Sequence, residues 1–236
     1  MDQSNAENSS IRSEGRWAAL YKVGAFAAFL YVAMMFVPLV LMIVAPVPPT
    51  EGGAAILEYV NAHRAVYLAE LICFVGLCVP AIAMFLALGV ALRRASPSFA
   101  LLGAALGIAS ETAAFAFGSS PPSLSWALAE LATRYATAIG PARDALAAGA
   151  EALAASANGV NPVGVLTALG ILIVSTIFAK GSLGRAAGVI GIVTGASGIV
   201  LEACRPLVGP VYGLYGILLP AWSIAVGIGL ARKARA

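Results

Sequence analysis

The sequence predicts an all-α integral membrane protein: a bundle of six transmembrane helices with extracytoplasmic amphipathic helices and both termini in the cytoplasm. Of the 236 residues, 61% are hydrophobic and 11% are charged, which is too apolar for an ordinary soluble domain. Six apolar runs can cross a hydrocarbon core about 30 Å thick. The basic residues concentrate in alternate connections between these runs, as the positive-inside rule requires.

The six predicted spans are 23–44, 66–92, 99–118, 163–179, 184–204 and 211–231. They form one transmembrane domain over 23–231, between a polar cytoplasmic tail at 1–22 and a basic cytoplasmic tail at 232–236. The first run is too long for the apolar part of a signal peptide and lacks a convincing cleavage site. We therefore expect it to remain as the first helix.

The distribution of Lys and Arg gives an independent test of this topology. Ten of the 14 basic residues fall on one side of a six-span arrangement: Arg12, Arg16, Lys22, Arg93, Arg94, Lys180, Arg185, Arg232, Lys233 and Arg235. The other side has Arg64, Arg134, Arg143 and Arg205. Five or seven spans would mix the two sets, so the count favours cytoplasmic termini. The net charge of +3 is scattered over segment ends, which argues against nucleic acid as a partner.

The first long outer connection predicts a short helix at the membrane interface. It begins with three prolines, after which Thr50 and Glu51 offer an N-cap and a first-turn acid. Ile56 and Val60 follow at helical spacing.

The second long outer connection, 119–161, carries too many charges to span a membrane. Its apolar residues form two stripes at helical spacing: Leu124, Leu128, Leu131 and Tyr135, then Leu146, Ala150 and Leu153. Gly140 and Pro141 separate the stripes, and Asn158-Gly159 ends the second. We expect a helical hairpin over the outer mouth of the bundle. The alternative is an ordinary layer of surface loops that has no role in ligand access to the bundle.

The glycines of the fifth span recur at intervals of four and three residues: Gly184, Gly188, Gly191, Gly195 and Gly198. They share one helix face, and the rhythm continues to Glu202 and Arg205. Each glycine costs a helix in water about 1 kcal/mol relative to alanine, so the pattern favours close approach of neighbouring backbones within a bilayer. We expect this span to be the central packing helix, carrying an acid and a base into the bundle.

A glycine-bearing helix, a short basic turn and a second glycine-rich helix follow one another in VGVLTALGILIVSTIFAKGSLGRAAGVIGIVTGASGIV. Trp222, Gly227 and a closing basic cluster mark the last span, LLPAWSIAVGIGLARKAR. Over most of its length the chain resembles a bacterial multi-pass membrane family catalogued as a domain of unknown function, number 4386 in that series. The resemblance implies a multi-pass protein of the bacterial inner (cytoplasmic) membrane. Because that family has no established activity, it implies no catalytic residues.

The sequence contains no short motif for binding nucleotide, haem or metal, or for covalent catalysis. Cys73, Cys78 and Cys204 lie in apolar segments and read as small hydrophobic residues. His63, the one histidine, reads as a solvated or interfacial residue rather than a ligand. We therefore expect neither a metal site nor a cofactor.

Three acids within the apolar spans are expected at the outer leaflet: Glu70, Glu111 and Glu202. A buried carboxylate needs a proton, a partner or water. Together with Arg205, Tyr212 and Tyr215 they form the candidate ligand-binding set, to which the fourth span adds Asn161 and Thr167. The structural alternative is a Glu202–Arg205 pair that caps the helix end and a Glu111 that only links helices by hydrogen bonds. Interfacial placement would equally explain each tyrosine taken alone.

Three functions are compatible with this pattern. The first is binding or movement of a small amphipathic or cationic ligand in an acidic outer chamber, helped by Pro38, Pro80 and Pro220. The second is a non-enzymatic structural or interaction protein of the lipid bilayer. Its partner can be another protein or a second copy of the chain in a homo-oligomer, and the sequence does not decide between them. The third is an intramembrane enzyme using a buried Glu as acid or base; the lack of an evident nucleophile argues against it. A chamber of a few hundred Å³ would favour binding or catalysis, and close packing the structural role.

Overall fold

The computed structural model describes residues 16–120, 124–178 and 183–235, which are almost entirely helical. These ranges contain α1 (Ala18–Val44), α2 (Gly53–Ala62), α3 (Arg64–Gly76), α4 (Cys78–Leu92), α5 (Pro97–Phe117), α6 (Trp126–Tyr135), α7 (Pro141–Asn158), α8 (Pro162–Phe178), α9 (Arg185–Ala203), α10 (Arg205–Val208) and α11 (Gly213–Lys233). A 3-10 turn spans Gly209–Tyr212, and β1 (Ser119–Ser120) pairs antiparallel with β2 (Leu124–Ser125). Most of the predicted tail (1–15, with Arg12), Ala179 and Lys180 lie outside the described residues.

Six stretches are long and apolar enough to cross a membrane: Ala18–Leu41, Arg64–Leu92, Pro97–Phe117, Pro141–Phe178, Arg185–Ala203 and Arg205–Lys233. They confirm the predicted all-α membrane bundle of six spans. The second, fourth and sixth stretches are each interrupted. α3 gives way to α4 at Leu77, where Pro80 in the first turn of α4 has no N–H to continue the helix. The sixth stretch is interrupted by Gly209, whose φ of 50° lies in the left-handed region.

The six membrane helices form a closed ring in chain order. α1 packs on α4, α4 on α5, α5 on α8, α8 on α9, α9 on α11, and α11 returns to α1. The expectation that the fifth span is central is wrong, because α9 is one member of this ring. The ring interior is filled by side chains such as Phe85 and Trp222, whose ring centroids are 6.1 Å apart. Trp222 is fully buried and donates a hydrogen bond from Nε1 to Ser175 Oγ at 3.1 Å.

The glycine face of α9 packs mainly against α8. A Cβ built on Gly195 would lie 2.6 Å from the backbone nitrogen of Leu172 and 2.7 Å from the carbonyl oxygen of Ala168. Gly188, Gly191 and Gly198 are also buried, which confirms the predicted packing face at four of its five glycines. Gly184 is the exception: it precedes the helix with a φ of 114° and is exposed. Its role is to turn the chain into α9 rather than to pack.

A separate helical layer, here called the cap, covers the end of the ring opposite the termini. It consists of α2, α6 and α7 packed on α3, with an apolar core that includes Ile56, Leu57, Leu128 and Ala150. Tyr67 of α3 holds β2, because its hydroxyl accepts from Ser125 N at 2.9 Å and donates to Ser125 O at 3.2 Å. The predicted hairpin of two helical stripes is confirmed as α6 and α7, except that Leu124 of the first stripe lies in β2.

Two local expectations about the cap are wrong. The N-cap of α2 is Gly52, at a φ of 81°, rather than Thr50, because the helix begins at Gly53, where the backbone passes close to Ala147 of α7. In α7 the buried face includes Ala150 and Ala154, whereas Leu153 is exposed. The small side chains let α2 approach α7 closely, and α2 therefore packs within the cap.

The orientation of the bundle is testable by cysteine labelling. The positive-inside rule places the basic end in the cytoplasm and the cap outside. A cysteine at Ala148, which is exposed on α7, should react in intact cells with a membrane-impermeant maleimide, and one at Ala95, exposed beyond α4, should react only after lysis. The parent chain, which has Cys73, Cys78 and Cys204, gives the background. Labelling of Ala95→Cys before lysis would show that the basic end lies outside the cell and would contradict the predicted orientation.

Candidate functional site

The predicted site residues fall into two polar clusters, one isolated position and one aromatic residue beside the clusters, Tyr215. The ion-pair cluster consists of Asn161, Glu202, Arg205 and Tyr212. The acid–hydroxyl cluster consists of Cys78, Ser110, Glu111 and Thr167. Glu70 belongs to neither: it lies on α3 with 3% of its surface exposed and interacts electrostatically with Tyr59 and Tyr67. Glu111 and Glu202 thus both lie near the start of α8, whereas Glu70 lies under the cap.

The ion-pair cluster closes around the carboxylate of Glu202 at the end of α9. Arg205 Nη2 donates to Glu202 Oε2 at 2.6 Å and to the Tyr212 hydroxyl at 2.7 Å. The Tyr212 hydroxyl donates to Glu202 Oε1 at 2.8 Å, and Asn161 Nδ2 donates to Oε2 at 3.2 Å. Both carboxylate oxygens are therefore occupied by donors of the protein itself. The predicted pairing of Glu202 with Arg205 is confirmed.

This ion pair is buried, unlike the ion pairs of the cap. The side chains of Arg205 and Glu202 are 10% and 4% exposed, compared with 65% and 62% for the Arg134–Glu130 pair. Arg205 Nη1 donates to the carbonyl oxygen of Ala157 at 3.3 Å, but Nε is buried with no hydrogen-bond acceptor among the described residues. The guanidinium is held on several sides, and one of its donors remains unsatisfied.

The acid–hydroxyl cluster joins α4, α5 and α8. Glu111 is 6% exposed, and its carboxyl group is hydrogen-bonded to Thr167 Oγ1 at 3.1 Å and to the thiol of Cys78. Ser110 Oγ donates to the carbonyl oxygen of Val163 at 2.5 Å and lies 2.6 Å from Thr167 Oγ1. No basic side chain is among these partners. Glu111 differs in this respect from Glu202, which has its own counter-ion.

The hydrogen count in this cluster indicates that Glu111 carries a proton. Ser110 has one hydroxyl hydrogen, directed to Val163, and Thr167 has one. If Thr167 donates to an ionised Glu111, the 2.6 Å contact between the two hydroxyl oxygens has no hydrogen left. If Glu111 is protonated, it donates to Thr167 and Thr167 donates to Ser110, which supplies a hydrogen for each of these short contacts and leaves the longer 3.5 Å contact from Thr167 Oγ1 to Val163 O without one. A neutral carboxyl group also avoids the cost of an unpaired charge inside a membrane.

The first two turns of α8 connect the two clusters. Asn161, just before α8, contacts Glu202, whereas Thr167 contacts Glu111. Between them Gly164 leaves room for the carboxylate, since a Cβ there would lie 2.6 Å from Glu202 Oε1. Asn161 and Thr167 therefore contact two of the predicted acids, and their part in ligand binding stays a prediction.

Two aromatic residues lie close to both clusters. Tyr215 is 5% exposed, packs on Gly198 and sits 6.2 Å from Tyr212, measured between ring centroids. Tyr31 of α1 is also 5% exposed and interacts electrostatically with Glu111, Cys78 and Tyr215. Tyr31, Cys78 and Ser110 were not predicted as site residues. For Cys78 the one available signal was its position two residues before Pro80, where a span is interrupted.

Comparison with known proteins does not assign the chain to a family: no family model, no curated protein and no solved structure matches it. The resemblance to the 4386 family of unknown function stays a prediction. The site has to be interpreted from its own residues.

Two cavities on the described surface lie away from both clusters. One, of about 240 Å³, is lined by Lys22, Ala25, Ala231, Ala234 and Arg235. Another, of about 400 Å³, is an apolar depression on α1 lined by Ala33, Phe36, Val37, Val40 and Leu41. Neither is lined by an acid. The two acids that the sequence placed in an acidic chamber, Glu111 and Glu202, are 6% and 3% exposed and are hydrogen-bonded within the two clusters.

Proposed function

We propose that this multi-pass membrane protein binds a small cationic or amphipathic molecule at the ion-pair cluster, with Arg205 occupying the cation position when no ligand is bound. One observation carries this proposal. The residues around Glu202 and Glu111 come from one interruption within a membrane stretch and from the junctions that precede α8 and α11. Cys78 follows the α3–α4 break, Asn161 precedes α8, and Arg205 belongs to the short α10.

Interrupted helices are where membrane proteins build binding sites. In a bilayer, backbone that leaves the helix must be satisfied by the protein, so it is tolerated where it lines a site or cavity. In many transporters, discontinuous helices hold the substrate and its coupling ions. One interrupted stretch and two helix junctions that converge on two acids therefore favour a binding role over passive packing.

The surroundings of Arg205 suggest how the site could open. Arg205 begins the four-residue α10, with Cys204 before it and Gly209, at a φ of 50°, after it. Leu207 on the same segment is 86% exposed, so few packing contacts restrain it. A small rotation of α10 would withdraw the guanidinium and leave the carboxylate of Glu202 beside the Tyr212 ring. That ring is 4.9 Å from the guanidinium carbon and offers a cation–π surface.

Thermal melting with cationic probes tests the proposal. Tetraphenylphosphonium or benzyltrimethylammonium should raise the melting temperature of the wild type saturably, whereas neutral benzyl alcohol should not. The double variant Glu202→Gln/Arg205→Met has neither charge, so it should lose the response. Glu130→Gln, which changes an exposed acid of the cap, should keep it.

Glu111→Gln separates a binding role for the second acid from a purely structural one. An amide can replace a neutral carboxyl as hydrogen-bond donor and acceptor, so we expect a melting temperature close to wild type. If Glu111 belongs to the binding site, the probe response should weaken although the fold is intact. No probe response in the wild type, or a full response in the double variant, would refute the binding proposal.

The second candidate is a structural or interaction protein without a ligand. It is favoured by the close packing of the bundle. A Cβ on Gly170 would lie 3.0 Å from backbone atoms of both Gly103 and Gly107, so α5 and α8 meet almost backbone to backbone. In this case the polar clusters serve only to fix helix positions. Wild-type protein that melts identically with and without every probe would favour this candidate.

A further inference from the structure

The basic end of the bundle contains a cavity unrelated to the two polar clusters. It lies between the start of α1 and the end of α11 and has a volume of about 240 Å³. Lys22 and Arg235 flank it, and the alanines Ala25, Ala231 and Ala234 complete its lining. Two cations beside a small apolar surface are complementary to a group with one negative charge attached to a hydrocarbon.

The charges of the described residues strengthen this complementarity. The acids in these ranges lie in the cap or in the half of the bundle next to it: Glu51, Glu58, Glu70, Glu111, Glu130, Asp144, Glu151 and Glu202. At the basic end lie eight cations: Arg16, Lys22, Arg93, Arg94, Arg185, Arg232, Lys233 and Arg235. No carboxylate of the described residues is therefore positioned to neutralise the cavity.

Neighbouring aromatic residues hold other cations of this end in place. The guanidinium carbon of Arg93 lies 5.0 Å from the centroid of the Trp17 ring, and Lys233 Nζ lies 5.8 Å from that of Tyr21. Arg93 also donates to the carbonyl oxygen of Val90 at 2.7 Å. Trp and Tyr at helix ends are typical of the membrane interface. The cavity is thus at headgroup depth, where Lys22 and Arg235 are exposed.

We propose that this cavity binds the phosphate of an anionic phospholipid headgroup. Lys22 and Arg235 contact the phosphate, and the three alanines accommodate the glycerol and the first acyl carbons. Basic pockets between transmembrane helices bind anionic headgroups in this way. The site does not depend on the ligand proposed for the ion-pair cluster.

Native mass spectrometry of the full chain tests this site with named lipids. Phosphatidylglycerol should bind one saturable site about thirtyfold more tightly than phosphatidylcholine with the same acyl chains, on the basis of two cations near the headgroup. In Lys22→Ala/Arg235→Ala this preference should largely disappear. Arg94→Ala/Arg185→Ala removes the same charge from the same end without touching the cavity lining, and it should keep the preference. Melting curves verify that each variant is folded.

Three outcomes would overturn the proposal. Equal affinity of the wild type for the two lipids would show that the site does not recognise an anion. Equal loss in both double variants would show that only the total charge matters. Binding of inorganic phosphate at the same site with an affinity equal to that of phosphatidylglycerol would assign the cavity to a free phosphate rather than a lipid.

Discussion

Replacing Gly195 by alanine should destabilise the bundle by about 2 kcal/mol or more. The added Cβ would lie 2.6 Å and 2.7 Å from backbone atoms of α8. Backbone atoms cannot move aside as a flexible side chain can, so α8 and α9 would have to separate along a long contact. Thermal melting in detergent measures the loss.

Gly216→Ala is the matched control for this change. Gly216 lies within α11, and a Cβ there would have no atom of another described helix within 4 Å. Alanine has the higher helix propensity, so the melting temperature should stay equal or rise. Equal destabilisation by the two variants would mean that the glycine face of α9 is not a close-packed contact.

Replacing Arg205 by methionine should be about as damaging, costing about 3 kcal/mol. Methionine retains apolar length but removes the positive charge, so the carboxylate of Glu202, which is 4% exposed, loses its counter-ion. The hydrogen bonds from Asn161 and Tyr212 remain. They do not neutralise a buried charge.

A second substitution tests this explanation. Glu202→Gln in the Arg205→Met background removes the orphaned charge and keeps an acceptor for Tyr212, so much of the lost stability should return. A double variant that loses as much stability as the two single changes added together would show that Glu202 and Arg205 act independently. The same double variant is the one that should no longer respond to cationic probes.

Prediction from the sequence succeeded where the governing physics is local. A helix satisfies its own backbone hydrogen bonds, and lipid demands an apolar surface, so the length and hydropathy of a run predict a span without knowledge of its neighbours. The hairpin of α6 and α7 was predicted for a similar reason, because Gly140 and Pro141 act on the residues next to them. The pairing of Glu202 with Arg205, three residues apart, is likewise a local consequence of helix geometry.

The positions of the three acids show what the sequence could not predict. Their depth followed from the rise per residue, but the direction in which each side chain points relative to other helices did not. Glu70 interacts with Tyr59 of the cap and Tyr67 of its own helix, whereas Glu111 meets Cys78 and Thr167 from two other helices. Cys78 read as a small hydrophobic residue because nothing beside it in the chain is polar.

The sequence by itself determined the number of spans, the basic and cap ends, and which face of the fifth span is lined with small residues. Only the tertiary structure decided that the spans close into a ring, that Glu111 has no basic partner, and that the acids are enclosed rather than lining an open chamber. The physical reason is that hydropathy and helix periodicity are properties of one segment. Contacts between helices in lipid depend on how side chains from distant segments fit together.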